Sequence, residues 1–269
     1  MGTRLTETAN AVASAFVAAR REARALTSYP GAAPADLPDA YRIQDCAISL
    51  DGRTVVGWKV GRIFPPDDAR LGSNRIAGPI FADSVRRAEP GDMPDMAVFA
   101  GGFAAAEAEL LLHVAPGWQG EVPVDDPGTR ALIDEVRLGI EIASSPYPRI
   151  NADGPAVTAS DFGNNAGLVI GPVLEGWQEL DLCAITVRTE IDGVRVGEAT
   201  AATMLDGPFG AVRFLLANLS ARGFDLGGGL WVSTGAITGV HKVEPGAQVS
   251  ATFGDHGQVH CRIAAAKGQ

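Results

Sequence analysis

The chain has 269 residues, of which 46% are hydrophobic, 20% charged and 6% aromatic. That is the make-up of an ordinary globular protein, long enough to bury a substantial core in one large domain or two unequal ones. Its net charge of -10 argues against nucleic acid as a partner, since phosphate contacts need a basic face, and no run approaches the roughly eighteen apolar residues of a membrane-spanning helix.

Leu5, Ala9, Val12, Phe16, Ala19 and Ala23 recur at spacings of three and four, which predicts an amphipathic helix over 4–27. Met1-Gly2 with Thr6 fits the N-myristoylation pattern, which is short enough to match by chance. The stretch 10–26 carries Glu22 and lacks an apolar h-region, so a surface helix is expected there and not a targeting segment. A Pro/Ala-rich stretch at 29–38 breaks the helix, and a second follows with Asp39 near its start and Tyr41, Ile43, Ala47 and Leu50 within it. Val55, Val56, Trp58 and Val60 predict a short strand, then a Gly- and Pro-punctuated loop through Pro79.

From about 80 to 265 short β-like runs alternate with turns, at 168–170, 184–191, 230–232 and 247–253, with helices expected near 128–136 and 209–222. The segment 104–112 is Ala, Glu and Leu, helical by propensity, yet acids two apart share a face only in a strand. The expected organisation is a helical N-terminal segment, 1–53, leading into a β-rich catalytic domain, 54–269. Cys46, Cys183 and Cys261 are widely spaced, match no metal spacing and read as the reduced thiols of a cytoplasmic protein.

Glu107-Ala108-Glu109, with Glu141 closing Leu138-Gly139-Ile140-Glu141, sets three acids among apolar and small neighbours. If they converge, each like-charge pair at roughly 4 Å costs on the order of 4 kcal/mol at an effective dielectric of about 20. Such a group protonates or recruits a cation, and all-oxygen ligands favour magnesium or manganese over zinc. Taken alone, Glu-x-Glu is more often a solvated strand face.

Lys59, framed by Gly57-Trp58 and Val60-Gly61, suits a cleft lysine that binds a carboxylate; the bland alternative is a snorkelling strand lysine. Thr234-Gly235-Ala236 suggests a strand entering a tight turn, which can present N–H groups and a hydroxyl to an anion or be purely structural. His256 and His260 are four apart but flank an expected hairpin turn, Gly254-Asp255-His256-Gly257, so a shared helical face is not expected; His113 and His241 show no partner. The sequence contains no serine-hydrolase elbow, P-loop or dinucleotide fingerprint.

In order and spacing, these pieces resemble the 2-keto-4-pentenoate hydratase / 4-oxalocrotonate decarboxylase family of the fumarylacetoacetate-hydrolase fold superfamily. The resemblance runs through Asp39-Ala40-Tyr41-Arg42-Ile43-Gln44, Val56-Gly57-Trp58-Lys59-Val60-Gly61, Leu71-Gly72, Gly78-Pro79-Ile80-Phe81-Ala82-Asp83 and Glu107-Ala108-Glu109 with Glu141. It closes with Gly207-Pro208, Ser233-Thr234-Gly235-Ala236 and Glu244-Pro245-Gly246. It implies an α+β fold, a mixed β-roll with a helical N-terminal piece, and it makes 104–112 a strand. It further implies a homo-oligomer, with a complex with a related pathway enzyme as a further possibility, and a Mg2+ or Mn2+ site at Glu107, Glu109 and Glu141.

Carried over by position, Lys59 matches the active-site lysine, Asp83 is the expected pocket acid and water-activating base, and Leu71, Asn164 and Thr234 are expected to bind substrate. Three departures stand out. Ala104-Ala105-Ala106 replaces a stretch that often holds a basic residue, Asp161-Phe162-Gly163-Asn164 puts asparagine where a serine usually sits, and Gly228-Gly229 stands where the family has Gly-Asp. The implied activity is metal-dependent addition of water to a short 2-hydroxydienoate or unsaturated 2-oxo acid in aromatic catabolism. An apolar lining, which would reject a second carboxylate, favours that over its alternatives: decarboxylation of a 2-oxo diacid and C–C hydrolysis of an acylpyruvate. A non-catalytic partner subunit is the reading from another class.

Overall fold

Two helices, α1 (Gly2–Arg21) and α2 (Leu37–Asp51), open the chain in the computed structural model, which describes residues 2–268 and the side chains from residue 7 onward. The Met1-Gly2-Thr6 pattern and Leu5 therefore lie outside the described side chains. Helix α1 stops short of residue 27, because Ala23 takes a left-handed φ of 49°. Asp36 caps α2, its carboxylate accepting from the Asp39 N–H at 2.8 Å.

The remaining elements, in order, are β1 (Val55–Arg62), α3 (Asp67–Leu71), β2 (Arg75–Phe81), β3 (Val85–Arg87), β4 (Asp95–Val98) and β5 (Phe103–Val114), then α4 (Asp126–Arg130), β6 (Ile133–Ser145), α5 (Pro155–Ser160), β7 (Asn165–Val173), β8 (Thr186–Ile191) and β9 (Val194–Thr200). Helix α6 (Gly207–Ala221) precedes β10 (Leu230–Ser233), β11 (His241–Lys242), β12 (Gln248–Phe253) and β13 (Gln258–Ala265).

Two expectations are corrected. The 61–79 loop contains β2, which holds Pro79 because it lies at the sheet edge and pairs with β1 alone, where a missing N–H leaves no ladder bond unmade. The helix expected at 128–136 is a single turn, α4, after which the chain becomes β6.

One sheet has the order β2-β1-β10-β5-β6-β7-β3, with β11 added to β5. The other has the order β4-β13-β12-β8-β9. Pairings β1/β10, β3/β7 and β4/β13 are parallel and the rest antiparallel. Residues 104–112 are strand despite their helical propensity, since β5 lies between β10 and β6 with both edges paired. Alternation then sorts the side chains. Ala106, Ala108, Leu110 and Leu112 of β5 join Leu138 and Ile140 of β6, Trp58 and Val60 of β1 and Val232 of β10 in the main core. The opposite faces of the same four strands carry Lys59, Glu107, Glu109, Glu141 and Ser233, so one register choice gathers five polar groups.

The N-terminal helices pack with Phe81, Tyr147, Val157 and Phe162 in a second core. Arg20 of α1 is buried between the Phe99 and Phe162 rings. It donates to both Asp161 oxygens at 2.6 and 3.0 Å and to the Asn165 and Ser144 carbonyls at 3.0 and 3.2 Å. Removing one partner of a buried ion pair leaves a charge uncompensated, so Arg20→Leu is expected to lose about 3–5 kcal/mol of stability. Urea unfolding checks this, and a midpoint unchanged at constant slope would count against it.

Candidate metal centre

Glu107 on β5 stands directly opposite Glu141 on β6, and Glu109 lies one pleat further along β5. Like charges facing each other across a ladder are unfavourable, and these three are 5%, 0% and 0% exposed. One carboxylate oxygen from each lies within 4.8 Å of the others. Burial pushes the Glu107 carboxyl up to about 7, with Lys59 opposing and Glu141 adding to the shift. Burial, then Glu141 and Glu107, raise Glu109 well above the usual carboxylate range.

The supports around the triad are specific. Ser233 Oγ and the Gly235 N–H donate to Glu109 Oε2 at 2.5 and 2.9 Å. Gly235 has a φ of 115°, a conformation that favours glycine. Asn165 Nδ2 donates to Glu141 Oε1 at 2.9 Å. Lys59, 4% exposed, extends from β1 to 3.2 Å from Glu141 Oε2 and donates to Asn164 Oδ1, also at 3.2 Å. Burial alone would push the Lys59 ammonium down, but Glu141, Glu107 and Glu109 hold it above its ordinary value. Asn164 in turn donates to Asn151 Oδ1 at 2.9 Å.

Phe162, Gly163 and Asn164 form a left-handed turn, with φ of 54°, 59° and 58°. This turn presses on β2 at Gly78, where an added Cβ would sit 2.1 Å from the Phe162 carbonyl oxygen.

A divalent cation fits these residues. Glu109 Oε1 and Glu141 Oε2 are buried without a hydrogen bond, and both belong to the triad. Three carboxylates and one ammonium sum to -2, the charge a divalent ion balances. Oxygens around such an ion lie up to about twice the 2.0–2.6 Å bond length apart, the scale of the 4.8 Å set.

The triad opens onto a cavity of about 770 Å³ whose walls include Lys59, Glu107, Asn164 and Thr234. Two other expected residues stand elsewhere. Asp83 lies on a separate cavity and bonds Arg53 at 3.2 Å, so it supplies no pocket acid. Leu71 ends α3 and packs against the cluster of Leu37, Tyr41 and Ile76.

Thr234 differs in detail from the expected anion cradle, since its hydroxyl and its N–H both donate to the Leu110 carbonyl and the Gly235 N–H is held by Glu109. Toward a ligand the Thr234 hydroxyl therefore offers only lone pairs. Sequence reasoning missed Asn165, Ser233 and Arg20. Arg20 was discoverable, because it falls four residues after Phe16 on the apolar face of α1. His113 and His241 do have partners, Asp134 and Thr238, and Gly254 to Gly257 forms the expected hairpin between β12 and β13. No described helix is long and apolar enough to cross a membrane, and all three cysteines are free.

No family model matches the chain. It is 25% identical over 223 residues to a 4-oxalocrotonate decarboxylase of Pseudomonas putida, spanning 79% of this chain and 78% of that protein. The structure of 4-oxalocrotonate decarboxylase from Pseudomonas putida G7 complexed with magnesium and adipate superposes with a TM-score of 0.78 at 22% identity, over 96% of this chain and 97% of that one. Fumarylpyruvate hydrolase from Pseudomonas aeruginosa, in complex with Mn2+ and pyruvate, superposes with a TM-score of 0.59 at 17% identity, over 80% and 91%. The fold is the mixed β-roll that the resemblance implied.

Proposed function

We propose that this chain, a member of the 2-keto-4-pentenoate hydratase / 4-oxalocrotonate decarboxylase family, is a divalent-metal-dependent enzyme that decarboxylates an unsaturated 2-oxo diacid. The observation that carries the reading is the buried triad beside a buried lysine, with Glu107 and Lys59 in the wall of one cavity. Glu107, Glu109 and Glu141 would hold the cation, which supplies Lewis-acid polarisation of the 2-oxo group when bound.

In the reaction, the bond to the distal carboxylate breaks and carbon dioxide leaves. The freed electron pair moves through the conjugated alkene to the 2-oxo oxygen, and one proton taken up there gives the 2-hydroxydienoate. Lys59 keeps a positive charge where that negative charge develops. Its hydrogen bond to Asn164 Oδ1 and its ion pair with Glu141, each at 3.2 Å, fix the ammonium in place before the reaction begins.

Hydration of a monoacid loses its main support, because the lining is not apolar. Arg62 and Arg75 stand in the cavity wall, and the relative that this chain matches over 223 residues is a 4-oxalocrotonate decarboxylase. Asp83, the one base assigned to water, is elsewhere.

The test supplies 4-oxalocrotonate and 2-hydroxypenta-2,4-dienoate separately, with magnesium and with a chelator. Absorbance and carbon dioxide are followed, and products are identified by mass. Chelator-sensitive carbon dioxide release from the diacid is expected. Water addition to the dienoate without any decarboxylation would establish the hydratase instead.

A further inference from the structure

Five charged side chains line the cavity: Lys59, Glu107, Asp67, Arg75 and Arg62. Four are already balanced. Lys59 and Glu107 belong to the triad cluster, and Asp67 Oδ1 accepts from Arg70 Nε and Nη2 at 2.9 and 2.7 Å. Arg75, nearly buried, pairs at 2.5 Å with Asp206, which Arg213 also reaches at 3.3 Å.

Arg62 is different. Its guanidinium donates to the Thr203 carbonyl at 3.2 Å, lies over the Phe64 ring at 4.6 Å and has no carboxylate partner among the described residues. A guanidinium carries five donors in a planar fork, so a bidentate carboxylate contact remains open. Stacking on Phe64, itself 62% exposed, holds that plane at the cavity mouth. Arg62 ends β1 three positions after Lys59, about 10 Å along a strand and on its other face, yet both line the one cavity, whose wall also includes apolar Ile76, Met204 and Ile237. The cavity wall thus combines an exposed guanidinium, apolar side chains and the buried Lys59 and Glu107 of the triad cluster.

We infer that Arg62 is a specificity-determining residue that binds the distal carboxylate of the substrate. The inference rests on the diacid reading of the site. It also makes a distinctive kinetic claim, because the gripped carboxylate is the group that leaves as neutral carbon dioxide. Arg62 therefore binds the ground state more strongly than the transition state, so its loss raises KM without lowering kcat.

The test compares the wild type with Arg62→Ala and Arg62→Lys in two ways. Calorimetry on magnesium-loaded protein uses two inert probes, adipate and hexanoate, which differ by one carboxylate. The wild type should prefer adipate by about tenfold, the worth of one charged hydrogen-bonded contact. Arg62→Ala should bind the two alike, with Arg62→Lys between. Steady-state kinetics on the diacid should show KM about tenfold higher in Arg62→Ala, with kcat undiminished. A preference for adipate that survives in Arg62→Ala, or a fall in kcat at constant KM, overturns the inference. Because calorimetry needs no turnover, adipate preference lost with Arg62 in a protein that releases no carbon dioxide would sink the decarboxylase reading and keep this one. Decarboxylation indifferent to Arg62 would do the reverse.

Discussion

Replacing Lys59 with methionine is expected to lower kcat by about 10²–10³-fold, the loss seen when a preorganised charge-stabilising donor is removed. Methionine occupies much the same stem volume, so the effect is not that of a cavity. The substitution also removes the one cation among three buried carboxylates. Metal-free protein should lose about 3–5 kcal/mol of stability, as when a buried pair is broken from one side. The two losses should respond differently to magnesium. A bound divalent ion offsets the excess negative charge and restores much of the stability, whereas kcat stays low because nothing replaces the ammonium at that position. Urea unfolding with chelator and with magnesium, alongside single-turnover rates at saturating metal, separates them. A magnesium-saturated variant within tenfold of wild-type kcat would remove Lys59 from the chemistry.

Glu109→Gln should make the metal-free protein more stable and the metal site useless. The amide oxygen can still accept from Ser233 Oγ and the Gly235 N–H, the two bonds that now end on Oε2. The amide nitrogen would then stand where Oε1 has no partner, facing acceptor oxygens of the other two acids. A carboxyl that burial, Glu141 and Glu107 hold well above its ordinary range gives way to a neutral amide and a donor is gained, which favours the metal-free fold by on the order of 1–3 kcal/mol. Wild-type protein should gain about 2.7 kcal/mol when magnesium reaches a hundred times its dissociation constant; the variant should gain almost nothing. Calorimetric titration and melting with and without metal read both effects. Unchanged metal affinity would show that Glu109 is not a ligand.

The triad is legible only through the family resemblance, which makes 104–112 a strand against its helical propensity and so puts Glu107 and Glu109 on one face, and Lys59 through its glycine frame together with the match to the family lysine. Less legible was anything that depends on which strand lies next to which. Nothing local to Glu141 says that it faces Glu107; the β5/β6 register does. Strand β2 was hidden by Gly78 and Pro79, which signal a loop anywhere but beside a close-packed turn and at a sheet edge. The start of β6 reads as helix in the sequence because Ile133, Val136 and Arg137 suit either period. Asp83 was placed by its motif alone, and the short helical turn at 82–84 carries it toward Arg53 instead. Arg62 belongs to no motif, and its interest comes from having no carboxylate beside it among the described residues.

The path from α1 to the triad matters to anyone who cuts or recombines this chain. Arg20 holds Asp161 and the Asn165 carbonyl, Asp161 accepts from Ser145 Oγ at 2.6 Å, and the Asn165 side chain steadies Glu141. The change of secondary structure near residue 53 is therefore no seam. A fragment beginning there would present the Asp161 carboxylate to a hole lined by Phe99 and Phe162, and the backing of Glu141 would go slack. A chimera that takes its first fifty residues from a relative must bring an arginine to this spot, or replace residues 20 and 161 together with an apolar pair.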